Sequence, residues 1–498
     1  MQEDAGGSTS AWAAEEYGQA NLKDARLTSR VVSIADRVLE HRAGKVTQVF
    51  PTAAERKGAY RFLENNQVLA ESLIDAAGDA CARRSAAYPF VFVPVDGSSA
   101  TLADPAGVLG SIGPDRAGAR GIKVMSAIAV SPAGEPIGVC AQSFWVRPKK
   151  AKRTRGKPQA KARQRAKAKR LAVQKVIARA KLAPEQKETR HWLDVIRATK
   201  RRFEEEAPNT RCWFQLDREA DAWPILLELA QDRVDDLFTV RAENRCVILP
   251  DGSSGYLRSV LAAQEAIGGY EVDVTAAKDR TARRAHLKIR VAKVVLDLTD
   301  KSTNKHHKLL LRVVCAHEVG TTPPGEDPLD WLLLTNHAND TLEQARLVID
   351  GYTQRWKIER VHKTWKSGGC NIESSQLHSP QTAMKWATIL FSVALRIERI
   401  NHLARTSPDL PASVELSSYE IRAVILLKRK YKKRTETIPD TMPTIAQVAR
   451  WIADLGGYTG KSSGGTFGSI TLGRGFSKVV AVAAALESLD ELCPERFC

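Results

Sequence analysis

Asn339-Asp-Thr-Leu-Glu-Gln-Ala-Arg-Leu-Val-Ile-Asp-Gly-Tyr352-Thr-Gln-Arg355-Trp-Lys-Ile-Glu359-Arg-Val-His-Lys363-Thr-Trp-Lys366 reads as one helix. Thr341 and Gln344 form a capping-box start, each side chain satisfying a free backbone N–H of the first turn. Gly368 and Gly369 end it. At 100° per residue, Tyr352, Arg355, Glu359, Lys363 and Lys366 fall within about 80° of one another. Leu347, Ile358, Val361 and Trp365 gather on another face, which is expected to meet a core.

The polar face has two readings. Mixed Glu and Lys at helical spacing is the usual pattern of a solvated surface. The same set also suits a single chemistry, in which a carboxylate holds a metal, Arg and Lys grip phosphate oxygens, and a Tyr hydroxyl orients another. A metal-bound Glu among cations fits a nucleic-acid backbone better than a small neutral substrate.

Outward from this helix, two apolar runs end in acids. Pro89-Phe-Val-Phe-Val-Pro-Val95 reads as a buried strand with Asp96 at its end and Gly97-Ser-Ser99 as a turn. A strand-end carboxylate is a ligand position and also a common turn residue. Arg211-Cys-Trp-Phe-Gln-Leu216 is a second buried strand ending at Asp217, and Arg218-Glu-Ala-Asp-Ala-Trp223 opens a helix with Asp221 as a first-turn charge. Strand-like runs at about 123–130 and 136–146 are joined by a turn, Ser131–Pro136. Residues 186–206 have helical periodicity. From 235 to 336 short alternating runs at 271–275, 285–298 and 307–316 read as an inserted β-subdomain, entered through Thr239-Val-Arg241. Residues 1–75 are helical, with Leu27, Val31, Ile34, Val38 and Leu39 as an apolar stripe. Residues 378–498 are helical again.

The spacing Tyr352-x2-Arg355-x3-Glu359-x6-Lys366 resembles the Y-R-E-K signature of the bacterial insertion-sequence transposases of the IS-four family, in particular its Tn-five-like members. Asp217-Arg-Glu-Ala-Asp221, Ala20-Asn-Leu-Lys-Asp-Ala-Arg26-x3-Arg30 and Gly58-Ala-Tyr-Arg61-Phe62 are similar to segments of the same family. The resemblance implies an α/β fold: a ribonuclease H-like catalytic core with an inserted β-subdomain, flanked by helical N- and C-terminal domains. The implied parts are a DNA-binding domain at 1–75, a catalytic domain at 76–377 and a dimerisation domain at 378–498. Asp96, Asp217 and Glu359 become the catalytic acids and ligands of two Mg²⁺ or Mn²⁺ ions, a fitting set because hard oxygens suit these cations. Arg30 and Arg61 become contacts to the transposon end, Arg241 a phosphate contact and Trp331 a stacking platform for an extruded base. On its own terms Trp331 reads equally as a buried residue at a strand start. The implied reaction is cut-and-paste transposition by a homodimer in a synaptic complex. A strand is nicked, a hairpin formed and reopened, and the 3′-ends joined to target DNA.

Composition agrees with a polyanion partner. The 498 residues carry a formal charge of +18, with 43% hydrophobic and 27% charged residues, the mix of a soluble globular protein. Residues 149–170 hold twelve Lys or Arg and no acid; +18 less these twelve leaves +6. This run reads as a phosphate-binding arm or a solvated insertion, and the arm suits the rest of the chain. No apolar run approaches a membrane span and no secretory signal is visible, so a cytoplasmic location is expected. The eight cysteines show no zinc spacing. His-Glu-x-x-His is missing from the sequence. Two other functions remain open: a metal nuclease of the same fold without strand transfer, and a noncatalytic DNA-binding derivative.

Overall fold

The computed structural model describes residues 11–105, 107–113, 118–148, 182–231, 236–274, 280–431, 438, 441–460 and 466–492. The basic run 149–170 and the last two cysteines, Cys493 and Cys498, lie outside the described residues.

Strands β1 (Phe90–Thr101), β2 (Gly110–Ser111), β3 (Arg120–Val130), β4 (Pro136–Trp145), β5 (Arg211–Leu216) and β6 (Leu237–Arg241) make the core of one sheet. β3 runs antiparallel to both β1 and β4, while β1, β5 and β6 run parallel. The order β4-β3-β1-β5-β6 therefore has two antiparallel steps followed by two parallel ones. Alternate residues of a strand face opposite sides, and here both sides are covered. Val91, Val93 and Val95 enter one core with Trp192, Ile196 and Phe203 of the helix Thr189–Glu206. Phe92 enters the other with Trp213, Ile349 and Tyr352. Each buried side chain of this size contributes about 1.5–3 kcal/mol.

The segment expected as an inserted β-subdomain continues this sheet. β7 (Cys246–Ile248), β8 (Ser254–Tyr256), β9 (Gly268–Val274), β10 (Arg283–Asp300) and β11 (Lys305–Val319) lead to β12 (Asp330–Thr335), which pairs with β6. β11 pairs with β12 and β10 with β11, giving twelve strands in all among the described residues.

The site helix is not uniform. Leu342–Thr353 is α-helical, with the capping box formed as expected: the Gln344 N–H donates to Thr341 Oγ1 at 3.2 Å. Gln354 and Arg355 then donate to carbonyls only three residues back, at 3.0 and 3.1 Å. The helix resumes over Trp356–Lys363 and widens to a π-turn at Thr364–Gly368. Such tight and wide turns inside helices often mark functional sites. Gly351 lets the helix lie against β1, because a Cβ there would stand 2.5 Å from the Phe92 ring. Ile358, Val361 and Trp365 are buried as expected, but Leu347 is 37% exposed. The helix ahead of the tight turn is rolled relative to the helix after it, so one apolar stripe does not run the whole length.

The terminal helices pack together. Tyr17 Oη donates to Ser392 Oγ at 3.0 Å, Lys385 Nζ to the Leu63 carbonyl at 2.9 Å and Trp386 Nε1 to the Gly44 carbonyl at 2.8 Å. All three tie the N-terminal helical region to the long helix Pro380–Thr406. The expectation of no span-length apolar run needs correction: Ser469–Asp490 is long and apolar enough to cross a membrane by length and composition. Leu472, Phe476, Val479 and Val480 bury one of its faces in the helical layer, and 39% of that window is buried.

Candidate active site

Asp96 does not end its strand. β1 continues to Thr101 against β3, with Gly97 opposite Met125, so Gly97-Ser-Ser99 is strand rather than turn. What ends at Asp96 is the pairing with β5, whose last partners are Val95 and Leu216. The sheet splits there, and Asp96 and Asp217 emerge side by side at the fork. Asp217 accepts the Glu219 N–H at 2.9 Å as the cap of a short turn. Burial pushes its carboxyl up to about 6, and the charge of Asp96 adds to this. The Glu219 N–H and Arg355 oppose the shift. Asp221, expected as a first-turn helix charge, is instead buried in a loop, where it accepts from the Glu243 N–H at 2.8 Å and Arg245 at 2.7 Å.

The helix brings Arg355 to this fork. Arg355 is 7% exposed, and its guanidinium donates to Glu359 at 2.7 Å. Burial works against its charge. Tyr352, Glu359 and Asp96 more than offset that and hold its pKa above the ordinary value. Arg355 is thus the counter-ion among the acids. Tyr352 is buried rather than exposed on the polar face, with its ring 5.9 Å from the Arg355 guanidinium. Burial raises its phenol pKa, and Arg355 and Arg241 pull it back. Arg241 lies opposite Leu333 on β12 and reaches the Asp330 carbonyl at 3.4 Å, beside the half-buried Trp331. Asp96, Asp217, Arg355, Glu359, Tyr352 and Arg241 therefore form one neighbourhood. Among the described residues no three His, Cys, Asp or Glu side chains converge as a metal group; Glu359 is turned to Arg355.

The two lysines part. Lys366 lines a cleft of about 450 Å³ with Gly97, Ser98 and Ser99, whereas Lys363 lines a different cavity. Arg30 and Arg61 stand in the N-terminal helical layer, exposed on Ala25–Glu40 and Ala53–Glu64. Arg30 Nη1 reaches within 3.6 Å of the Cβ position of Gly58, which shares a face with Arg61. Two neighbours of the site escape the sequence reading. His362 lies 3.7 Å from Asp96, with its Nε2 buried and unpartnered among the described residues. Trp356 is 56% exposed beside Arg355. Their spacing from Glu359, three residues either way, is the signal that points to them.

Three family models match the chain in order. The Transposase DNA-binding model matches residues 9–68, and the Transposase DDE domain model residues 144–396, just over half of the 498 residues. The chain belongs to the DDE transposases. The Transposase Tn5 dimerisation domain model matches residues 392–488, which makes the chain a Tn5-like member of the IS4 family. This transposase is a DNA-cleaving enzyme whose core has the ribonuclease H-like fold, and β4-β3-β1-β5-β6 is that core. It binds DNA and forms a homodimer, and its domain type depends on divalent metal. The DDE match contains Asp217 and Glu359 and begins beyond Asp96. Arg30 and Arg61 fall within the DNA-binding match, and the half-exposed helix Ser469–Leu492 falls mostly within the dimerisation match.

Proposed function

We propose that the transposase excises and inserts a DNA element through Asp96, Asp217 and Glu359. The observation that carries this is the fork of β1 and β5, where two carboxylates meet and burial, together with the charge of Asp96, raises Asp217 to about 6. A divalent cation relieves that repulsion, and the hard oxygen donors fit Mg²⁺ or Mn²⁺. Two bound ions would polarise the attacking oxygen and neutralise the leaving one. The protein groups do the rest. Arg355 keeps Glu359 aimed along the helix and, with Tyr352 and Arg241, grips phosphate oxygens. Lys366 lines the cleft beyond Asp96, and Lys363, which lines the neighbouring cavity, meets the DNA outside the cleft. Trp331 receives a base extruded when the end is bent into a hairpin, which is then reopened before the 3′-ends attack target DNA.

The domain division follows: 1–75 reads the transposon end with Arg30 and Arg61, 76–377 cuts, and 378–498 pairs two copies in a synaptic complex. The exposed face of Ser469–Leu492 is available for that pairing. A DNA substrate of this kind places the enzyme in the cytoplasm with the nucleoid. A strand-transfer assay with precleaved ends in Mg²⁺ tests the reading: joined products are expected. Nicking without joining would leave a metal nuclease, and no metal-dependent nicking would leave a DNA-binding derivative.

A further inference from the structure

Another face of the site helix borders a cavity of about 320 Å³ that the cleavage chemistry does not use. It opens between Trp356–Lys363, Pro380–Thr406 and the start of Ser469–Leu492, and its lining includes Arg360, Lys363, Asn401, Arg405, Ser469 and Thr471. Three cations share this space with one carboxylate. Glu398 is already engaged: Oε1 accepts from the Thr364 hydroxyl at 2.6 Å, and Oε2 meets Arg360 at 3.0 Å. Burial and the neighbouring Arg360 charge hold the Arg405 guanidinium below its ordinary pKa, as expected where positive charge is crowded.

Two further features face the same space. The helix Ser469–Leu492 begins at Gly468, whose carbonyl accepts the Leu472 N–H at 3.0 Å. The first-turn amides of Ser469, Ile470 and Thr471 thus lack carbonyls within the helix, and the helix dipole is positive there. Independently, Asn401 is fully buried, donates Nδ2 to Ser469 Oγ at 2.9 Å, and has no partner for Oδ1 among the described residues. The oxygen and nitrogen of an amide exchange places by a half-turn. In that orientation Oδ1 accepts from the Ser469 hydroxyl and Nδ2 becomes the unpartnered donor beside the cavity that Asn401 lines.

We propose that this cavity is a subsite for a DNA backbone phosphate, separate from the phosphodiester at the acids. It rests on the assignment of Glu359 to the cleavage site in one respect, the direction from which DNA arrives. Lys363 follows Glu359 by one turn, about 6 Å of rise, which is under two base steps along a strand at about 3.4 Å each. DNA lying at the acids therefore reaches the cavity mouth. Arg405 and Arg360 take the phosphate oxygens from one side, and Asn401 and the helix amides take them from the other.

The test uses the full chain in EDTA, so that cleavage plays no part, and a 30-bp duplex of arbitrary sequence titrated between 50 and 200 mM KCl. Arg405→Gln should weaken binding and reduce the slope of log K against log salt by about 0.9, the loss of one phosphate contact. Arg405→Lys should keep the slope. Thr471→Glu, which puts a negative charge at the helix start and leaves Arg360, Lys363 and Arg405 in place, should weaken binding in the same way if Arg405→Gln folds poorly. An unchanged slope in folded Arg405→Gln overturns the proposal. So does thermal stabilisation by sodium phosphate that Arg405→Gln abolishes while the DNA slope stays the same, since the ligand is then a free anion. Mg²⁺-dependent nicking by the unmodified enzyme is scored separately: nicking without a change in slope removes only the cavity, and a change in slope without nicking removes only the cleavage reading.

Discussion

Replacing Asp217 with Asn should stabilise the metal-free enzyme at neutral pH and abolish its cleavage. The carboxyl is pushed from 3.8 to about 6 by burial and by Asp96. A folded pKa above the unfolded one means the folded state binds the proton more tightly, so stability is fullest below about pH 4 and falls as pH climbs through 6. Two pKa units correspond to about 3 kcal/mol as a ceiling. The Asn oxygen still accepts the Glu219 N–H, but an amide is a poorer acceptor than a carboxylate, which returns about 1 kcal/mol. A net gain of about 1–2 kcal/mol at pH 7.5 remains, a shift of a few degrees in Tm for a chain of this size. Urea unfolding in EDTA at pH 4.5, 6 and 7.5 measures it. The gain should be largest at pH 7.5 and shrink toward pH 4.5, and added Mg²⁺ should stabilise the parent and leave the variant unmoved. A variant no more stable than the parent at pH 7.5, or one equally stabilised at both extremes, would refute the reasoning, because the carboxylate would then not be a strained, uncompensated charge.

Glu359→Gln should end Mg²⁺-dependent nicking while keeping DNA binding; the lost partner of Arg355 costs about 1 kcal/mol in urea unfolding, and nicking near the parent rate would remove Glu359 from the site. Trp331→Ala should leave first-strand nicking nearly intact and slow hairpin formation, with partial rescue by an abasic end; equal slowing of both steps would make Trp331 a packing residue. Arg30→Ala and Arg61→Ala should each lose about 1–3 kcal/mol of discrimination between the end and random DNA if they read bases, whereas equal losses on both DNAs in competition binding would make them backbone contacts. Deleting 149–170 should flatten the salt dependence of all DNA binding, by about five units of slope if some six of its cations touch phosphates; an unchanged slope would take the run off the DNA.

Much of the site is legible in the sequence because its parts are local. β5 and its terminal Asp217 follow from a short apolar run, and the start of the site helix from Thr341 and Gln344. What sequence does not reveal depends on partners far along the chain. Asp96 reads as a strand end, yet its strand continues because β3 reaches further along β1 than β5 does. Tyr352 reads as solvent-facing and is buried, because Gly351 lets the helix settle onto Phe92 and Trp213. Leu347 reads as buried and is exposed, because the tight turn at Gln354 and Arg355 changes the helix phase. Short alternating runs between 235 and 336 give strands but not their neighbours, since periodicity says which face is apolar and nothing about which edge is paired.

β6 and β12 are antiparallel neighbours, with Arg241 opposite Leu333 and the Ala242 N–H donating to the Leu332 carbonyl at 2.7 Å. Everything between them is therefore, in topological terms, one overgrown hairpin loop. The entropy of closing a loop rises only slowly with its length, so such a loop can be lengthened, trimmed or exchanged without moving the strands that anchor it. The elaboration is thus entered and left through one pair of strands, while Val247, Leu257 and Val294 build one core with Val91 and Ile196, and Leu287 and Val314 build the other with Phe92 and Tyr352.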